Sequence, residues 1–137
     1  MDNISQNEKL STIVKALDSK RAEDIRIIEI GDLTIVADYF VIANGTSSTQ
    51  TKALAEEVEF KMSQLGIEPN RTEGYQGATW VVLDYGDIIV HVFYKETRDH
   101  YNLERLWSDG KGLYRIRHAV PARYNAVFRI GQGALKR

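Results

Sequence analysis

Side chains able to do chemistry are few in this chain, and their spacing limits what they can do. There is no cysteine, so thiolate nucleophiles, thiolate metal sites and disulfides are excluded. The three histidines, His91, His100 and His118, have no metal-ligand spacing to one another. The stretch Asn44-Gly45-Thr46-Ser47-Ser48 follows an apolar run and opens a helical pattern. Free backbone N–H groups and the helix dipole could hold a phosphate at such a turn. Nucleotidyl transfer there also needs a close pair of acids for Mg²⁺. None follows on a neighbouring strand, and Asp84 and Asp87 are split by a turn. A capping role for Ser47, with Gln50 at capping-box spacing, accounts for the loop better. No Walker loop is present. His91 as a base and Ser47 or Ser48 as a nucleophile lack partner motifs. The expectation is a non-enzyme with no metal and no cofactor.

What remains is a surface of binding type, on the hairpin Thr79 to Tyr94. Two β-branched runs flank Tyr85-Gly86, and Gly86 supplies the positive φ of a tight turn. A two-residue turn there pairs Leu83 with Ile88, Val82 with Ile89, Val81 with Val90 and Trp80 with His91. Alternation puts Val81, Leu83, Ile88, Val90 and Val92 on a wholly apolar face. Trp80, Val82, Asp84, Asp87, Ile89, His91 and Phe93 share the other. A large aromatic ringed by polar groups is the usual anchor of an interface. Trp80, Asp84, Tyr85 and Asp87 are the candidate contacts to a basic protein surface; the alternatives are an exposed turn where water screens both carboxylates and, for Trp80, a core aromatic.

The elements around this hairpin can be read in order. Ser5-x-x-Glu8 caps a helix over 6–19, with Leu10, Ile13, Val14 and Leu17 on its buried side. Strands are expected at 25–30 and 38–43, the second apolar enough to be central. Asp38, at its start, is a strand-end cap or half of an ion pair, with Arg98 as partner. A second helix buries Leu54, Val58, Met62 and Leu65 and stops at Gly66. A short strand is expected at 71–73. Thr97 caps a third helix that buries Leu103, Leu106 and Trp107, and only 124–130 looks strand-like thereafter. This order implies an α/β (α+β) fold, a mixed β-sheet flanked by helices.

At 137 residues and 43% hydrophobic, the chain suits one domain with a tail. Residues 111–137 hold seven Lys or Arg and no acid, whereas 1–110 hold 11 basic and 19 acidic residues. The expected division is thus a domain over 1–110 and a basic extension over 111–137. Arg115, Arg117, Arg123 and Arg129, with Tyr124 and Phe128 among them, could contact RNA phosphates and bases; the alternative is that the extension folds back on the acidic domain. No apolar run approaches the ~20 residues that span a bilayer, and nothing resembles a signal peptide. The expectation is a cytoplasmic protein.

Several segments together carry a resemblance. They are Ala37-Asp-Tyr-Phe-Val-Ile-Ala-Asn-Gly-Thr-Ser-Ser48, Glu73-Gly74, Trp80-Val-Val-Leu-Asp-Tyr-Gly-Asp-Ile-Ile-Val-His-Val-Phe93 and Arg98-x-x-Tyr101-x-Leu-Glu-x-Leu-Trp107. As a set, over roughly 8–110, they resemble the ribosomal silencing factor (Iojap-like) family. The resemblance implies a nucleotidyltransferase-like fold without the catalytic acids. It implies binding to the large ribosomal subunit at the ribosomal protein numbered fourteen, blocking of small-subunit joining, and translation repression under nutrient limitation. It also implies a homodimer. It says nothing of the basic extension. An enzyme at the Gly45–Ser48 loop and a plain dimerisation module are the competing readings.

Overall fold

The computed structural model describes residues 4–30, 37–101 and 113–116. The order is α1 (Gln6–Ser19), β1 (Glu23–Glu29), β2 (Tyr39–Gly45), α2 (Ser48–Gln64), β3 (Arg71–Glu73), β4 (Trp80–Asp84), β5 (Ile88–Tyr94), α3 (Lys95–Tyr101) and β6 (Leu113–Ile116). One sheet has the order β3-β4-β5-β2-β1-β6. Only β2 and β5 run parallel; the other pairs are antiparallel. This is the expected mixed sheet flanked by helices. The capping signals act as read: the Glu8 N–H donates to Ser5 Oγ at 3.1 Å and the Gln50 N–H to Ser47 Oγ at 3.0 Å.

α1 and α2 lie on one face of the sheet. Leu10, Ile13 and Leu17 of α1 and Leu54, Val58 and Met62 of α2 pack over Ile25, Ile27, Val41, Val81, Leu83, Val90 and Val92. The apolar alternation demands this cover. The other face carries a second cluster, Ile28, Ile30, Phe40, Ile42, Ile89 and Phe93, with Trp80 and Val82 packed against it. β2 and β5 are buried on both faces, as their continuous apolar runs require.

Four expectations need correction. The hairpin register is Trp80↔Phe93, Val82↔His91 and Asp84↔Ile89, two residues away from the expected one. The turn is Gly86-Asp87 rather than Tyr85-Gly86: the Tyr85 N–H donates to Ile88 O (2.9 Å), the Gly86 N–H to Asp84 Oδ1 (2.8 Å) and the Asp87 N–H to Tyr85 O (3.2 Å). That last bond makes a three-residue turn centred on Gly86 at φ +92°, a conformation for glycine. A slip of two keeps every side chain on its expected face, because the pleat repeats every two residues. Second, α3 starts at Lys95 directly after β5, so Thr97 lies inside it and does not cap it. Third, Leu113–Ile116, where no strand is expected, is a strand and pairs with Ile25–Ile28 of β1. Leu103, Leu106, Trp107 and the strand expected at 124–130 lie outside the described residues.

The fourth correction concerns Arg98. It is 4% exposed and does not meet Asp38. Its Nη1 donates to Asn44 Oδ1 and to the Asp24 carbonyl, both at 2.8 Å, and Nη2 stands 3.7 Å from Asp24 Oδ2. Asp24 can present its carbonyl because β1 bulges between Glu23 and Arg26, with Asp24 at φ +49°. Arg98 thereby ties α3 to the end of β2 and the start of β1. Arg98→Met should cost about 3 kcal/mol, since Asn44 Oδ1 and the Asp24 carbonyl lose a buried donor. Urea unfolding followed by circular dichroism measures it; an unchanged midpoint would show that the tie carries no stability.

Candidate protein-binding face

The expected contact residues do not end up together. Along β4, Trp80, Val82 and Asp84 alternate with the buried Val81 and Leu83, so they form one half-buried row facing away from α1 and α2. Tyr85 is a correction: it is 7% exposed and belongs to the helix-side core. It is not a surface contact. Asp87 is half-buried, and Lys9 Nζ stands 3.2 Å from its Oδ2. Gln6 Nε2 donates to Asp87 Oδ2 (3.1 Å) and to Asp38 Oδ2 (2.9 Å). The cation that two nearby carboxylates call for is thus supplied by α1. The Asp87 carbonyl also accepts from the Asp38 and Tyr39 N–H groups, which locks the turn to the start of β2. Arg115 lies in β6, and Arg117, Arg123 and Arg129 lie outside the described residues.

Trp80 is held from beneath. Its ring packs on Phe93 at a centroid separation of 4.9 Å. Its Nε1–H donates to His91 Nδ1 at 3.1 Å. Phe40 meets His91 edge-on at 4.5 Å. The backbone at Gly74 passes so close that a Cβ there would collide with the Trp80 carbonyl, and its φ of +87° also calls for glycine. The row is therefore a rigid aromatic anchor with one carboxylate, Asp84, along the strand from it. Asp84 uses one oxygen to cap Gly86.

The Gly45–Ser48 loop is taken up internally. The Thr46 N–H donates to Gln50 Oε1 (2.7 Å), and Gln50 Nε2 donates to the Lys20 and Arg21 carbonyls (3.2 Å each). The Thr46 and Gln50 N–H groups are thus taken up by Gln50 Oε1 and Ser47 Oγ inside the protein. Among the described residues no group of three or more His, Asp or Glu could hold a metal ion. No helix among them is long and apolar enough to cross a membrane. Sequence reasoning missed the Lys9–Asp87 and Arg98–Asn44 contacts. The only signal for the first was Gln6 and Lys9 on one side of a helix; the second had none.

Because the Trp80 N–H points at Nδ1, the proton of neutral His91 sits on Nε2. That nitrogen is buried and has no partner among the described residues. Burial pushes the imidazole from its ordinary 6.5 down to about 4. The unfolded chain then binds a proton that the folded chain refuses between those two values. Stability is complete above pH 6.5 and falls as pH drops through 6.5 toward 4, by about 3 kcal/mol at most. His91→Gln keeps an acceptor for Trp80 and removes the titration, so its stability should fall less over the same range. Urea midpoints of both proteins across that range decide it; parallel curves would show that His91 does not set the dependence.

Comparison with known proteins follows the same lines. Residues 3–127 match the family model described as ribosomal silencing factor during starvation. The chain is 42% identical over 106 residues to the ribosomal silencing factor RsfS of Bacillus subtilis, covering 77% of this chain and 90% of that one. It is 30% identical over 110 residues to the mouse protein named mitochondrial assembly of ribosomal large subunit protein 1, covering 78% of this chain and 48% of that one. A crystal structure of a Chromobacterium violaceum protein superposes with a TM-score of 0.74 at 31% identity, over 88% of this chain and 99% of that one. With its sheet, its helices and the family match running through β6, the chain belongs to the ribosomal silencing factor family.

Proposed function

We propose that the protein represses translation by occupancy and not by catalysis. It binds the large ribosomal subunit through a basic ribosomal protein at the subunit interface, the one numbered fourteen, and its bulk there keeps the small subunit from joining. The family's description names starvation as the occasion, and the mouse relative's name ties that protein to the large subunit. Both support the reading for this chain, acting in the cytoplasm.

The observation that carries it is the row Trp80–Val82–Asp84 on the face opposite α1 and α2. A ring already packed on Phe93 and bonded to His91 loses little freedom on docking, which makes it an efficient anchor. Asp84 beside it suits a basic partner. Asp87 is a lesser contributor, since Lys9 offsets its charge.

Co-sedimentation with purified large subunits tests this. Trp80→Ala should weaken binding about thirtyfold, the equivalent of an anchor of about 2 kcal/mol. Its urea midpoint is measured alongside, because the variant also deprives His91 of a donor. Asp84→Asn retains the turn acceptor and should weaken binding about fivefold at low salt, with the difference shrinking as salt rises. Normal binding by both folded variants would remove this row from the interface.

A further inference from the structure

A second surface lies on the other side of the molecule. Outward residues of α2, with Glu68 and Tyr75 from the chain beyond it, line an open depression of about 580 Å³. Phe60 stands in it at 53% exposure, the only large hydrophobic side chain left that open among the described residues. Glu56, Glu59 and Glu68 line the same depression, with Lys52 the one cation among its lining residues, so acids prevail there. Glu59 accepts a 2.6 Å hydrogen bond from the Tyr75 hydroxyl, which fixes its carboxylate there. Lys61 already places its ammonium 5.7 Å from the Phe60 ring centroid, so the ring face accepts a cation.

Tyr85, buried in the helix-side core, lies near the same carboxylates. Its ring fills the helix-side core, yet its hydroxyl is buried and makes no hydrogen bond among the described residues. Burial raises its pKa, and the nearby charges of Glu59 and Glu68, two groups of the depression, raise it further.

We propose that this face docks a basic polypeptide: a Lys- or Arg-rich segment of a partner protein that sets an apolar or guanidinium group on Phe60 and its cations among Glu56, Glu59 and Glu68. The carboxylates repel nucleic acid and anionic lipid surfaces. A second copy meeting this face about a two-fold axis would bring the same acids together. A basic protein segment satisfies both the charge and the exposed ring. The depression opens on the helix side, where Tyr75 packs against the cluster beneath α1 and α2, whereas Trp80 packs against the opposite cluster.

The test is a titration of isotope-labelled full-length protein, followed by backbone amide shifts. The probe is a short Lys- and Arg-rich peptide bearing one Phe; its counterpart has Glu at every basic position. The basic peptide should shift amides around Glu56, Phe60, Glu68 and Tyr75, and the acidic one should shift none. Phe60→Ala should weaken binding about tenfold. Glu56→Gln with Glu68→Gln should flatten its salt dependence. The proposal is overturned if millimolar basic peptide shifts nothing, if the shifts map to the Trp80 row, or if folded Phe60→Ala binds equally well. It is also overturned if the same amides shift with protein concentration alone, which would assign the face to a second copy.

Discussion

The parallel pairing of β2 with β5 is the constraint on which the rest of this structure depends. Seven residue pairs, from Tyr39↔Ile88 to Gly45↔Tyr94, hold the two strands side by side at the middle of the sheet. Parallel neighbours cannot be joined by a tight turn, so α2, β3 and β4 are all spent on the crossover. Central strands are buried on both faces and so need two covers. α1 and α2 supply one, and the aromatic and branched side chains around Phe40, Ile89 and Phe93 form the other cluster. Parallel direction also brings the ends of β2 and β5 out at the same edge. That places Asn44 within reach of Arg98 in the helix that follows β5.

Burying polar groups in such a sheet has been solved in two ways. Arg98 keeps its charge and is surrounded by acceptors: a side-chain amide, a bulge carbonyl and the Asp24 carboxylate. This fits the rule that a buried charge survives only with partners. His91 gives up its charge instead and accepts one hydrogen bond from Trp80. The first arrangement anchors a helix to the sheet. The second orients an aromatic ring at the surface. Stability and presentation of the binding face are therefore drawn from the same buried layer.

Layering also separates what the molecule can offer to partners. Trp80 and Asp84 look out from the sheet face away from α1 and α2, whereas Phe60 and its glutamates look out from the helix layer. Each surface couples an aromatic group to carboxylates. At the hairpin turn the charge is partly spent inside the protein, since α1 reaches over with Lys9 and Gln6 to hold Asp87. On the helix side, Glu56 of α2 and Glu68 beyond it form no ion pair among the described residues, and more of that charge is left for a partner.

Local pattern alone determined a good deal. The bounds of α1, both serine caps, the short strand at 71–73, the central place of 39–45 and the inward face of the hairpin all follow from periodicity, capping chemistry and continuous apolar runs. These depend on residues a few positions apart, so they are legible without knowing the fold. The turn register was not legible, because Tyr85-Gly86 and Gly86-Asp87 both satisfy the glycine requirement. The choice came from Asp84 capping Gly86 and from Asp87 bonding to the start of β2, about fifty residues away in sequence. Tyr85 fell into the core for the same reason. Arg98 found Asn44 rather than Asp38 because the parallel pairing sets Asn44 at its edge of the sheet and Asp38 at the other. Composition left open whether the basic stretch meets RNA or folds back, and gave no strand at 113–116; β1 offered an unpaired edge for that strand to fill. Each of these was decided by residues distant in the chain, whose meeting only tertiary geometry can specify.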